Sequence, residues 1–231
     1  MKTLRSLIFY LGYFGALAPH AILCVLIGLF MPIGLRYRYF LVWNAYSLWW
    51  LGLTCRIKYQ VSGEENVPPG PCIILANHQS AWETLFLYHH FLPLCAILKK
   101  QLLLIPFFGW ALGMLEPIAI DRSKRGRALT QLLEQGKQRL DDGISVLVFP
   151  EGTRVAPGIE KKYSAGGAEL AVSTGTQILP IAHNAGLFWP AHQLIKHPGT
   201  IQVVIGKPIS PVGRNARELT CEVESWIRQA I

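Results

Sequence analysis

The sequence predicts an α/β fold: a mostly parallel central sheet flanked by helices, preceded by an N-terminal pair of apolar helices. Three observations carry that reading. From residue 56 onward, short apolar runs rich in β-branched residues alternate with helix-length segments, the pattern of strands joined by helical crossovers. Before residue 56 lie two long apolar stretches almost free of charge. No internal repeat or low-complexity tract interrupts the 231 residues, which suffice for one large domain with a substantial core.

The N-terminal third accounts for the apolar balance of the chain, 51% hydrophobic against 16% charged residues, which exceeds that of an ordinary soluble domain. Ser6 to Leu35 contains no Asp, Glu, Lys or Arg, and neither does Tyr39 to Cys55. The first stretch exceeds the ~20 residues that a spanning helix needs, with Pro19 placed to kink it and Pro32 to end it. It is too long for the core of a signal peptide, and a second apolar run follows at once. Basic residues flank both segments: Lys2 and Arg5, then Arg36 and Arg38, then Arg56 and Lys58. A spanning hairpin would carry Arg36 and Arg38 to the far side, against the positive-inside tendency. A hairpin embedded in one leaflet keeps all six at one anionic headgroup layer, with Trp43, Trp49 and Trp50 at the interface. We therefore expect residues 1–55 to be a monotopic membrane-associated hairpin and 56–231 to be the working domain.

Gly63 to Gly70 reads as a linker. Strands are expected over 56–61, 72–76, 95–98, 117–120, 145–149, 178–182 and 201–205, and helices over 80–92, 106–114, 124–141, 165–174 and 216–230. In the helix at 124–141, Leu129, Leu132, Leu133 and Leu140 recur at helical spacing and belong to the core. Five scattered cysteines without a C-x-x-C pair read as reduced apolar residues, not as a disulfide framework or metal site. A net charge of +8 suits anionic partners, among them phosphorylated small molecules and acidic lipid headgroups. Nucleic acid is not expected, because the chain lacks a basic-aromatic stripe or a recognised motif.

The stretch Pro71 to Thr84 concentrates the chemistry. Cys72 to Ala76 is a buried-strand run, and Ser80-Ala81-Trp82-Glu83 has the spacing of a helix capping box. Asn77 and His78 thus fall between strand end and helix start, where ligands collect in α/β proteins. A histidine there has the positive end of a helix behind it, which favours the neutral ring. Glu83, five residues on, can turn back to Nδ1 and leave Nε2 free as a base, or it can simply complete the cap. Three more clusters stand out. Ile120-Asp121-Arg122 ends a strand and leads into a charge run whose plain reading is a solvated loop. Phe149-Pro150-Glu151-Gly152-Thr153-Arg154 follows an apolar strand, and its plain reading is a turn. Gly152 nevertheless admits close backbone approach, and Thr153 and Arg154 offer a hydroxyl and a planar fork suited to phosphate. Leu179-Pro180-Ile181 puts a proline inside a strand and suggests an edge position or an irregular wall. The chain lacks the nucleophile elbow, P-loop, dinucleotide fingerprint and zinc-protease motif. A histidine acting on a substrate hydroxyl is the alternative to covalent catalysis.

From about Lys58 to Pro208 these blocks resemble the 1-acyl-sn-glycerol-3-phosphate acyltransferase family. Asn77 to Glu83 matches its histidine–four residues–acid motif. Lys99 to Leu102, Ile105 to Gly109 and Ile118 to Arg122 match the second block, Phe149 to Arg154 the third and Leu179 to Ile181 the fourth. The resemblance implies the glycerolipid acyltransferase fold behind a two-helix membrane-docking element, on the cytoplasmic face of a membrane. It implies acyl transfer from acyl-CoA or acyl carrier protein to the sn-2 hydroxyl of lysophosphatidic acid, with no metal or further cofactor. By the same resemblance His78 is general base and Glu83 orients it. Arg122, Glu151, Gly152, Thr153 and Arg154 hold the acceptor, and Lys99 lies near the reaction centre. Two departures stand out: Glu83 replaces the usual aspartate, and Glu116 stands where the family often has glycine, which is expected to alter the acceptor pocket wall. Another lysolipid acceptor, or an inactive membrane scaffold that keeps the fold, are the competing readings.

Overall fold

Strand β2, Ile73–Ala76, lies inside the sheet and all four of its residues are buried, which is why it reads as an unbroken apolar run. A computed structural model describes residues 1–120 and 125–231. Around β2 are assembled β1 (Ile57–Ser62), β3 (Leu94–Lys99), β4 (Ile118–Ile120), β5 (Ser145–Val148), β6 (Ile178–His183) and β7 (Gly199–Ile205). Among the described residues they form one seven-stranded sheet in the order β1-β7-β6-β2-β5-β3-β4. Every neighbouring pair is parallel except β6 with β7. Each expected strand is present with ends within two residues of the sequence reading.

Alternate residues of the strands feed two cores. Ile74, Ala76, Leu147, Leu179 and Ile181 point to one, and Ile73, Leu75, Val146, Val148 and Ile178 to the other. Helices α6 (Arg125–Asp141), α7 (Gly166–Thr174) and α8 (Ala216–Ala230) contribute to the second core. Leu132 and Leu140 of α6 enter it as expected, whereas Leu129 is exposed. The first core is covered by α4 (Trp82–His90), α5 (Phe108–Gly113) and the N-terminal helices.

Those N-terminal helices are three, where two were expected. Helix α1 spans Lys2–Gly28 without a break at Pro19, and α3 covers Val42–Cys55. The connector is itself a helix, α2 (Ile33–Phe40); Pro32 stands immediately before its first residue and its carbonyl accepts Arg36 N–H at 2.9 Å, opening the first turn. Arg36 of this connector turns its guanidinium to the carbonyls of Met31 and Met114. Phe9, Cys24, Leu51 and Cys55 are buried in the same core as Trp82 and Phe86, so this region and the sheet share their interior. The buried Lys196 strengthens the join: its Nζ donates to Tyr10 Oη at 2.6 Å and its amide to Ser6 Oγ at 2.8 Å.

One of the two sequence readings of Pro180 needs correction. Pro180 is not on an edge: β6 lies between β7 and β2. The proline is tolerated because the ladder to β7 begins one residue later, at Ile181↔Ile205, and Pro180 offers only its carbonyl, to Gly206 N–H. Glu116 adopts φ +50, the left-handed region where glycine is usual. Its carboxylate pairs with Arg139 of α6 at 2.9 Å.

Candidate active site

Strands β6, β2 and β5 are neighbours, with β2 parallel to both, so their carboxyl ends bring three loops together. The loop after β2 carries Asn77 and His78, that after β5 carries Phe149 to Arg154, and β6 ends at His183. His78 is partly exposed and stacks on Phe149, with ring centroids 4.1 Å apart. Its Nδ1 lies 2.7 Å from Glu83 Oε1, and Glu83 is fully buried. A carboxylate only accepts, so Nδ1 carries the proton and Nε2 presents its lone pair.

Glu83 also accepts the amides of Gln79 at 2.9 Å and Ser80 at 2.8 Å through the same oxygen. Ser80 Oγ in turn accepts Trp82 N–H at 3.1 Å. The carboxylate therefore holds both the His78 ring and the turn that leads into α4, although the helix itself begins at Trp82 with no side-chain cap on Ala81. Burial pushes the Glu83 carboxyl up. The nearby His183 and His78, with hydrogen bonds from His78 and Ser80, outweigh that and hold it below the usual carboxylate value.

The loop after β5 is tied to the histidine loop through its backbone. His78 O accepts Val155 N–H at 2.7 Å, and Gly152 takes φ +69, a turn that a β-carbon would strain. Glu151 is turned inward: it is buried and accepts His78 N–H at 3.3 Å. Burial is the main reason its carboxyl is pushed up to about 7. Thr153 and Arg154 are exposed at the same edge, and Arg154 pairs with no carboxylate among the described residues. Lys99 is exposed at the end of β3, separated from β2 by β5. Arg122 lies outside the described residues.

Sequence reasoning missed His183. It exchanges backbone and side-chain bonds with Asn77: Asn77 Nδ2 to His183 O at 2.8 Å, His183 N to Asn77 Oδ1 at 3.0 Å. Its Nδ1 accepts Ala185 N–H at 3.3 Å, so Nε2 donates to Asn77 O at 2.7 Å. This clamp sets the peptide that carries His78. The available signal was a polar His-Asn pair closing an apolar strand, two residues beyond the block singled out.

Fold and site together place a carboxylate-backed histidine at the carboxyl edge of a mostly parallel α/β sheet. The family profile described as Acyltransferase matches residues 58–184, and the chain belongs to that family. It is 44% identical over 235 residues to the 1-acyl-sn-glycerol-3-phosphate acyltransferase of Pseudomonas aeruginosa, covering 100% of this chain and 91% of that one. The Saccharomyces cerevisiae enzyme of the same name is 32% identical over 208 residues, 86% of this chain and 64% of its own. The crystal structure of the 1-acyl-sn-glycerophosphate acyltransferase of Thermotoga maritima superposes with a TM-score of 0.81 at 24% identity, covering 99% and 94% of the two chains. At that identity the likeness concerns the fold.

Proposed function

We propose that the enzyme transfers a fatty acyl group from acyl-CoA or acyl carrier protein to the sn-2 hydroxyl of 1-acyl-sn-glycerol-3-phosphate, giving phosphatidic acid. The carrying observation is His78 Nδ1 held at 2.7 Å by a fully buried carboxylate, which leaves Nε2 available as a base. Nε2 removes the hydroxyl proton as the oxygen attacks the thioester carbonyl. Glu83 balances the imidazolium so formed. Collapse of the tetrahedral intermediate breaks the carbon–sulfur bond, and the departing thiolate takes the proton from Nε2. No acyl-enzyme is required.

Thr153 and Arg154, exposed beside His78, suit the acceptor phosphate, as does Arg122; Lys99 is the remaining cation considered for the substrate. Gly152 lets that loop approach, while Glu151 serves the site through the His78 amide. An apolar cavity of about 130 Å³ between α1, α3, α4 and α5, lined by Leu17, Trp43, Leu85 and Leu112, suits an acyl chain. The relatives' names support the acceptor. The protein works on the cytoplasmic face of a phospholipid membrane, held there by α1. That helix is long and apolar enough to cross a bilayer, yet it buries residues from Ser6 to Gly28 against the rest of the protein. These contacts near both ends of the helix, at Ser6 and Phe9 and again at Ala21, Cys24 and Gly28, favour lying in one leaflet over spanning.

A radiolabelled acyl-transfer assay on membranes, with a panel of lysolipids and both thioester carriers, tests the reading. Acylation of lysophosphatidic acid is expected. Activity confined to a lyso-aminolipid or lysophosphatidylglycerol would move the acceptor assignment, and no transfer to any lysolipid would overturn it.

A further inference from the structure

Beyond α1, one exposed apolar surface has no role in the catalytic scheme. After Lys99 ends β3, a short turn at Lys100–Leu104 leads into α5. Along it Leu102, Leu104, Ile105, Phe107 and Trp110 are all exposed, Leu104 by 74%. Loops that face water are polar as a rule, and a contiguous apolar patch marks an interaction surface. The display is built into the backbone. Phe107 sits at φ +59, a conformation costly for a side chain, and its ring meets that of Trp110 at 5.2 Å. Gly109 is needed for closure, since a β-carbon there would come within 2.3 Å of Leu102 O.

We infer that the segment Lys99 to Trp110 is a second membrane-contacting element, inserting its apolar side chains into the interface of an anionic bilayer. Charge complementarity selects this occupant: Lys99 and Lys100 are exposed at its base, and no Asp or Glu occurs between Glu83 and Glu116. Tryptophan and leucine beside lysine is the composition of an interfacial segment. The surface adjoins another apolar one, because α5 packs on the C-terminal half of α1, whose Ile22, Leu23 and Leu26 are exposed. Strand β3 is parallel to β5, and β5 to β2, so the segment stands on the sheet edge that carries His78. Contacts on that edge turn the catalytic loops toward the lipid, so an acceptor hydroxyl reaches His78 Nε2 while its acyl chain stays in the bilayer. This inference rests on the membrane-borne acceptor proposed above.

The test uses the full chain in a Cys221→Ser background, since the other four cysteines are buried. An environment-sensitive nitrobenzoxadiazole label is placed at Leu104→Cys or, as a control on α1, at Leu26→Cys. The protein is reconstituted into phosphatidylglycerol-containing vesicles with or without doxyl-labelled lipid. Both labels are expected to shift to the blue and to be quenched by the doxyl group. Quenching at 26 with water-like emission at 104 overturns this inference alone; no quenching at either site overturns the membrane reading as well. A blue shift at 104 that grows with protein density and resists doxyl quenching puts a second copy of the chain there, and overturns it too. The double variant Leu104→Ser, Phe107→Ser should acylate vesicle-borne acceptor at least tenfold more slowly, yet handle a monomeric short-chain acceptor normally. Equal loss on both substrates counts against the inference.

Discussion

Substitution of Glu83 by glutamine isolates what its charge contributes. Oε1 accepts from His78 Nδ1, Gln79 N and Ser80 N. The two backbone donors pin a carbonyl oxygen at that point, since a flipped amide would set its own N–H groups against theirs. Glutamine therefore keeps Nδ1–H as the tautomer, and only the negative charge disappears. A charge about 4 Å from an imidazolium, at an effective dielectric of about 20, is worth roughly 4 kcal/mol. That corresponds to about a thousandfold in turnover. Weakened amide bonds should cost roughly 1–3 kcal/mol of stability, a fall of a few degrees in thermal midpoint. Ser80→Ala removes only the Trp82 amide's acceptor and should cost about 0.5–2 kcal/mol with chemistry largely intact. The assay is single-turnover acyl transfer beside thermal melting, in one detergent, with His78→Ala as the floor. A Glu83→Gln enzyme within tenfold of wild type, beside an inactive His78→Ala, would refute the pairing as the source of catalysis.

Three more outcomes can be checked directly. Arg154→Ala should weaken acceptor binding about ten- to a hundredfold, from the loss of a charge-assisted contact of roughly 1.5–3 kcal/mol; Arg154→Lys should recover part, and the thioester KM should stay put. Unchanged handling of the phosphate acceptor would remove Arg154 from the site. The Glu151 carboxyl has a folded pKa of about 7 against 4.5 for the free group, so the folded state holds an extra proton between those values. Its contribution to stability therefore falls as pH rises through that window and levels off above it. Glu151→Gln should flatten that slope and raise the thermal midpoint at pH 8, and an unaltered slope would point to another group. Phe9→Ala, at a fully buried position on α1, should cost about 3–5 kcal/mol. A loss below about 1 kcal/mol in the melting curve would mean that α1 is not part of the core.

The order of strands and helices was legible in the sequence because each depends on a pattern within about ten residues. Cys72 to Ala76 is apolar without alternation because β2 is buried on both faces, and Asn215 caps α8 through Glu218 N–H. The blocks around His78 and Arg154 could be found for the same reason: each is a strand end followed by a turn. Their meeting could not be read. Residues 78 and 151 lie far apart along the chain, and they touch because β5 pairs with β2, a choice made by packing between crossovers. The same holds for His183, brought to Asn77 by the opposite neighbour, β6. In the sequence Glu151 is part of a Pro-Glu-Gly turn, and only the tertiary fold shows it buried and accepting the His78 amide. Apolar composition likewise marked α1 as a membrane helix but not which face is buried: Phe9 and Cys24 join the core while Leu11 and Phe14 stay outside. Hydrophobicity records that a side chain leaves water; whether protein or lipid receives it is decided by what packs alongside.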